Sequence, residues 1–258
     1  MSLRVFLLVM TFAVTATAGA AEVKVGESWT FEGHNGYSFD KEPATAYRVE
    51  ITGISDTGIV TRVTNLADGT AGIENFTRRW NPVSAEWAAK QPFAFSLGYA
   101  DELDHPLSGI KWRQDALLGH PYSALPVAQS FEFSPAYPEF PDRLEPGVTW
   151  HGGTVSRNLT TGRRVRMEIS GKVIGSIQVK VPAGEFDAVK LERTTYVADE
   201  SFRHSPTRIT EIEWFVPALG RSVKYETRWE YFHQNSSYYP VYQPGDWTVY
   251  ELISYQAR

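Results

Sequence analysis

The sequence contains no cysteine. That absence excludes disulfide bracing, thiolate metal sites, and the cysteine that would carry a lipid anchor behind an export signal. The fold must therefore rest on a packed core. Long hydrophobic runs are also missing. No stretch approaches the roughly 18 apolar residues of a membrane-spanning helix, so no transmembrane segment is expected and the processed chain should be soluble. Positive charge is not in excess, with 25 Lys and Arg against 30 Asp and Glu. This balance excludes the basic footprint of a nucleic-acid binder or of a protein adsorbed on an anionic membrane. Glycine-rich phosphate loops and a G-x-S-x-G elbow are absent too, which removes the commonest nucleotide and serine-hydrolase signatures.

What the chain does have begins at its first residues. Arg4 precedes an apolar run, Val5 to Met10, and small residues end the stretch at Ala18-Gly19-Ala20. This pattern predicts a signal peptide over residues 1–20, cleaved before Ala21, and hence a periplasmic or secreted product. Aromatic residues are plentiful, with 8 Trp, 13 Tyr and 14 Phe, and they favour strands.

The strand rhythm is clearest at the two ends of the chain. Alternating runs at 22–34, 47–52, 59–64 and 73–80 are separated by short Asp/Gly turns, a hairpin signal. From 81 to 140 the rhythm loosens around a series of prolines, and only Ser84 to Lys90 suggests a short capped helix. Alternation returns at 149–157 and continues to 247–255. The expected fold is all-β, an antiparallel open or partial β-barrel with a Pro-rich irregular middle segment. The expected organisation is an N-terminal β unit, 21–140, whose part from 81 to 140 is irregular, and a C-terminal β unit, 141–258, which could share one core with the first.

Two openings look related. Gly26-Glu-Ser-Trp29 is followed by Tyr47-Arg-Val-Glu50-Ile-Thr-Gly53, and Gly147-Val-Thr-Trp150 by Val165-Arg-Met-Glu168-Ile-Ser-Gly171. The match suggests two related β units. The stretch VKVPAGEFDAVKLE, Val179 to Glu192, reads as a hairpin with Pro182 and Gly184 at its corner. It offers no nucleophile and no metal-ligand set.

Those turns carry a resemblance. Gly26 to Trp29, Val181 to Phe186, Trp214 to Gly220 with Lys224, and Tyr250 to Tyr255 resemble the Gly-x-x-Trp, Val-Pro-Ala-Gly-x-Phe, Trp-x-x-Pro-x-Leu-Gly and Tyr-Glu-Leu-x-Ser-Tyr elements of an uncharacterised family of exported bacterial β-rich proteins. The resemblance implies a partial barrel in the cell envelope and no enzyme.

Candidate site residues are few. No residue stands out as catalytic, and none as holding a cofactor or metal. Asp101, Asp104 and His105 could share a hard cation but match no known ligand spacing; a solvated acidic loop is the plainer reading. An aromatic-walled cleft is the alternative to plain core packing for the tryptophans, with His34, Arg48, His151, Arg166, Trp214 and Lys224 as its candidate residues. Its occupant would be a lipid or a glycan, or the partner would be another envelope protein. The leading expectation is a non-enzymatic binding or scaffolding protein of the cell envelope. The alternatives are a hydrolase acting on envelope polymers, for which Glu50, Glu168, His34 and His151 would have to converge, and a structural part of a secretion or surface-assembly system.

Overall fold

Side-chain alternation decides the architecture. The computed structural model describes residues 23–35, 45–87, 129–159, 162, 164–198, 207–233 and 241–257. Along the strand Arg164–Val181, residues Val165, Met167, Ile169 and Val173 are buried, while Arg164, Arg166, Glu168, Ser170 and Lys172 are exposed. A period of two with apolar residues on one side is what a wall with a core behind it requires. The charged outer side belongs in water; a lipid-facing barrel wall carries an apolar band there.

Twelve strands form the wall: β1 Ser28–Asn35, β2 Thr45–Ile54, β3 Gly58–Asn65, β4 Ala71–Thr77, β5 Pro82–Trp87, β6 Gln129–Ser134, β7 Thr149–Asn158, β8 Arg164–Val181, β9 Gly184–Ala198, β10 Thr207–Val216, β11 Arg221–His233 and β12 Val241–Gln256. Each pairs antiparallel with its neighbours in sequence, and β1 pairs with β12, running from Ser28 opposite Gln256 to Asn35 opposite Thr248. The antiparallel barrel expected from the strand rhythm is present, and it is closed. Closure leaves no unpaired edge strand.

One local expectation changes. The segment Ser84 to Lys90 is not a capped helix where it is described: Pro82–Trp87 is β5, laddered to β4 and β6, with Ala85 inward and Glu86 outward. Two ladders outweigh one capped turn, because tertiary pairing overrides a weak local propensity. Residues 177–181, which lead into the VPAG turn, belong to one long strand. They continue β8 past an irregularity between Val173 and Gly175.

That irregularity explains the hairpin. β7 follows β8 only as far as Lys172, and β10 follows β9 only from Val189 onward. The rest of the β8–β9 hairpin has no lateral neighbour, and a bulge bends a strand. Its tip crosses the end of the barrel: Ala183 N–H donates to Leu252 O at 3.0 Å. Val179, Val181 and Ala188 join Trp29, Phe31, Ile51, Val223 and Leu252 in one buried cluster. The VPAG hairpin is therefore a floor. The β4–β5, β10–β11 and β2–β3 turns lie at this same end, whereas β1, β5, β9 and β11 end at the other.

A second piece of chain fills the interior. Between β6 and β7, residues 135–142 form a strap that enters from the floor end, with Tyr137 and Glu139 fully enclosed. The strap begins after a cis Ser134–Pro135 peptide. Its prolines lack N–H groups, so at those positions only the carbonyls can bond. Thr154 Oγ1 donates to Pro135 O at 2.6 Å and Trp150 Nε1 to Pro138 O at 2.9 Å. A Cβ on Gly152 would lie 2.6 Å from Pro138 Cγ, so only glycine lets the strap lie this close to β7.

The related openings recur in three dimensions, six strands apart. Gly26 and Gly147 both take positive φ, 88° and 86°, and both begin a strand. Gly26 N–H donates to Ile51 O at 2.7 Å and Gly147 N–H to Val173 O at 2.8 Å. Ile51 N–H returns to Glu27 O and Val173 N–H to Val148 O. Register shifts follow at Ile51/Gly53 and Val173/Gly175. The residue match differs from the sequence alignment: Ile51 corresponds to Val173, so Glu50 aligns with Lys172 and not with Glu168. The strands β4 and β10 repeat as well, through Ile73-Glu74-Asn75-Phe76 and Ile212-Glu213-Trp214-Phe215, each with a register shift before its Phe.

Candidate functional site

The interior carries charge at mid-height. Arg193 points inward from β9, between Leu191 and Thr195 on the buried side of the strand. It is 1% exposed, and such burial is tolerated only when every donor finds an acceptor. Here the five contacts match the five guanidinium N–H groups. Nε donates to Glu211 Oε2 at 3.3 Å, and Nη2 to Glu211 Oε1 at 3.3 Å and to Glu139 Oε1 at 3.4 Å. Nη1 donates to Glu213 Oε2 at 2.6 Å and to Glu139 O at 3.0 Å. One cation thus joins β9, β10 and the strap.

The hydroxyls around it complete the network. Tyr137 OH lies 2.7 Å from Thr195 Oγ1 and donates to Glu211 Oε2 at 3.0 Å. Tyr225 OH also donates to Glu211, and Ser222 Oγ to Glu213. Burial opposes the charge on Arg193, but the carboxylates of Glu211, Glu213 and Glu139 outweigh it and hold its pKa well above the ordinary value. Burial, followed by the charge of Glu211, pushes the Tyr137 phenol well above its usual range.

A second guanidinium sits nearer the floor. Arg221 stacks 4.1 Å from the Trp80 ring centroid and 5.0 Å from that of Trp29. Burial lowers its pKa to about 10, against the opposing charges of Glu74, Glu139 and Glu213, so it stays a cation at neutral pH. Trp80 holds φ at 64°, a left-handed conformation that is costly for a bulky side chain. Beside Arg221 lies a cavity of about 30 Å³, lined among others by Phe31, Trp80, Glu139, Phe140 and Glu213. That volume suits about two waters by the size a single water needs, and falls far short of the roughly 300 Å³ at which small-molecule pockets begin.

The six residues chosen from sequence do not surround one cleft. All project outward. Arg48 is exposed on β2, with Nη2 3.4 Å from Ser28 Oγ. Arg166 is exposed on β8, and His151 is exposed on β7, with Nδ1 3.0 Å from Ser170 Oγ. Trp214, Lys224 and His34 do share a sector. In register, Lys190, Trp214, Lys224, Glu251 and Glu32 form an outward row across β9, β10, β11, β12 and β1. Lys190 Nζ and Lys224 Nζ lie 5.8 Å and 5.4 Å from the Trp214 ring centroid. Lys224 pairs with Glu251 at 2.8 Å, Lys190 with Glu192 at 3.1 Å, and His34 Nε2 lies 3.5 Å from Glu32. On the same sector Arg228 stacks 4.2 Å from the Trp247 ring.

The convergence that hydrolysis would need is not formed by Glu50, Glu168, His34 and His151. Around the twelve-stranded wall β1 and β2 stand at least five strands from β7 and β8, and all four side chains face outward. Among the described residues no group of three or more His, Asp or Glu is placed to hold a metal ion. The Asp101 to His105 cluster and residues 1–20 lie outside the described residues.

The inward charges escaped the sequence reading, although a signal was present. Arg193 shares parity with Leu191 and Val197, and Glu211 and Glu213 share parity with Ile209 and Phe215. Charges in phase with the apolar face of a strand mark an interior network.

No protein-family model matches the sequence, and no curated protein matches it. Three solved structures are similar to it. A lipoprotein candidate of Parabacteroides distasonis is 11% identical, covering 90% of this chain and 96% of its own, with a TM-score of 0.45. An exported-protein candidate of Bacteroides fragilis with a YmcC-like fold is 13% identical over 91% of this chain and 97% of its own, with a TM-score of 0.49. The hypothetical lipoprotein YmcC of Escherichia coli is 8% identical over 88% of this chain and 84% of its own, with a TM-score of 0.42. Two of these bacterial proteins are described as lipoproteins and one as an exported protein.

Proposed function

We propose that this is an exported, non-enzymatic binding or scaffolding protein of the bacterial cell envelope, and that it meets its partner on the outer wall of the barrel rather than inside it. The observation that carries this reading is the outward row around Trp214. A half-buried indole lies between two ammonium groups, with carboxylates of Glu192 and Glu251 at its flanks. Aromatic faces next to paired charges suit the apolar face and hydroxyls of a sugar, so an envelope glycan is the favoured partner. The inner space supports the same conclusion from the other side, since the strap and the floor hairpin occupy it.

Native mass spectrometry of the mature protein, released gently from its own periplasm, tests this. The expected result is an adduct of carbohydrate mass that disappears on denaturation and is lost in Trp214→Ala. An adduct retained in full by that variant, or one of lipid mass, would overturn the outer-wall glycan reading.

A further inference from the structure

We infer that the overhanging part of the β8–β9 hairpin is a self-pairing edge: two copies of this chain join antiparallel along residues 175–180, with Ile177 facing Ile177 across a two-fold axis. This stands apart from the outer-wall reading and rests on different residues.

Closure removes edges from the wall, but the hairpin brings a short one back. β7 accompanies β8 only to Lys172 and β10 accompanies β9 only from Val189, so among the described residues no strand pairs with either side of the hairpin beyond those points. Its two margins are unlike. The β9 margin carries Glu185 and Asp187, both exposed, and exposed charge is one way a sheet protects its edge from pairing. The β8 margin has neither an acidic residue nor a proline from Ile174 to Val181. Ile174 and Ile177 are 41% and 45% exposed there. Lys180 is the one charge on that margin, and its Nζ lies 3.8 Å from Glu185 across the hairpin.

The backbone is turned outward at the same place. Val181 pairs with Gly184 across the two-residue turn Pro182-Ala183, and the pair that closes such a turn is hydrogen-bonded. Alternation from that pair points the N–H and C=O of Val179 and Ile177 toward β9, and those of Ser176, Gln178 and Lys180 away from it. An added strand must meet this second set.

Side-chain chemistry commits the edge to a second copy of itself. Three antiparallel registers bring the outward backbone groups of two copies together. Centred on Ser176, the pairing sets Lys180 opposite Lys172 of the other copy, a like-charge contact that destabilises a sheet. Centred on Gln178, it sets Ile177 opposite Val179, which is already buried in the barrel's own cluster. Centred on Ile177, it joins the two exposed isoleucines, lets Ser176 and Gln178 exchange both hydrogen bonds, and sets Lys180 opposite Ile174. The two Lys180 residues then stand roughly 20 Å apart, six residues along a strand, beyond the screening length of about 8 Å. A surface that matches itself in this way makes an isologous contact and stops at two copies.

Sedimentation equilibrium of the mature protein over a range of concentrations is the first test. The weight-average mass is expected to climb toward twice that of one chain. Ile177→Lys sets two ammonium groups opposite each other at the axis and should weaken the association by about tenfold or more. Its thermal midpoint as a monomer should stay as in wild type, because the side chain is exposed. The absence of cysteine from the chain allows a geometric test as well. Ile177→Cys places two thiols at a non-hydrogen-bonded antiparallel pair, whose Cα separation of about 4.5 Å is within disulfide reach. Mild oxidation should link that variant into dimers much faster than Lys180→Cys, whose position is more exposed but far from its copy. A protein that stays monomeric at every concentration, leaving the edge to a strand of some other protein, would overturn the inference. So would an Ile177→Lys protein that associates like wild type, or equal linking rates for the two cysteine variants.

Discussion

Arg193 Nη1 donates to the backbone carbonyl of Glu139 at 3.0 Å, and a side chain on β9 thereby holds a main-chain atom of the strap that fills the barrel. Backbone and side chain of one residue are bound to one guanidinium. This geometry makes Arg193 the charged fastening between wall and filling, beside the neutral bonds from Thr154 and Trp150.

Truncating that cation should therefore be severe. Arg193→Ala leaves Glu211, Glu213 and Glu139 buried without their counter-charge, a loss on the order of 3–5 kcal/mol for breaking a buried ion pair. Arg193→Lys should recover little of it, because one ammonium cannot reproduce five donors in a planar fork. Urea unfolding followed by tryptophan fluorescence measures both. A lysine variant as stable as wild type would show that charge alone matters there.

Trp150 and Gly171 make a second test. A Cβ on Gly171 would fall 2.1 Å from the Trp150 ring, inside any permitted contact. Gly171→Ala must push the indole off, and with it the bond from Trp150 Nε1 to Pro138 O. Overpacking of this kind costs roughly 1–3 kcal/mol. The expected signature is a lower midpoint of unfolding together with a changed near-ultraviolet dichroism band from the displaced indole. An unchanged spectrum would mean that the ring does not lie on that glycine.

These two sites show what was readable beforehand. Apolar alternation in the segments that became β8 and β9 was enough to predict strands, and the even spacing of turns was enough to predict an antiparallel barrel. The Gly26 and Gly147 openings were legible as a repeat because a positive-φ glycine and a tryptophan three residues on leave the same short pattern twice. Closure was not legible, since β1 and β12 meet only in three dimensions and no local signal records the partner of an edge. Nor was the filling. Pro135, Pro138 and Pro141 break every period, so a strap that depends on them looks irregular until Arg193 and Trp150 are seen to reach it. Outward placement of His34, Arg48 and Trp214 could have been read by counting parity from Phe31, Val49 and Phe215, although the bulge before Phe215 breaks that count on β10.

The floor hairpin gives a third prediction. Val181 is buried in the cluster with Trp29 and Leu252, yet it lies beyond the last lateral partner of β8 and β9. Val181→Ala should cost about 2 kcal/mol through lost burial and the cavity left behind. Because only the floor is affected, the denaturant slope should stay as in wild type while the midpoint moves. A changed slope would mean that the hairpin and the wall unfold in separate steps.

Alkaline pH probes Tyr137 with a definite sign. Its folded pKa is raised above 10.0, first by burial and then by the charge of Glu211. Above the unfolded pKa the unfolded chain releases this proton while the folded protein keeps it, so the folded state binds more protons and stability falls as pH rises. The contribution is fully present below pH about 10, where the free phenol is neutral, and is lost progressively toward the folded value. Tyr137→Phe removes that dependence. It also deprives Thr195 and Glu211 of one hydrogen bond, at about 1–2 kcal/mol near neutral pH. Chemical denaturation at pH 8 and at pH 10.5 in both proteins separates the two effects: the variant should start less stable and lose less on going to the higher pH. Equal losses in the two proteins would place the alkaline sensitivity on other tyrosines.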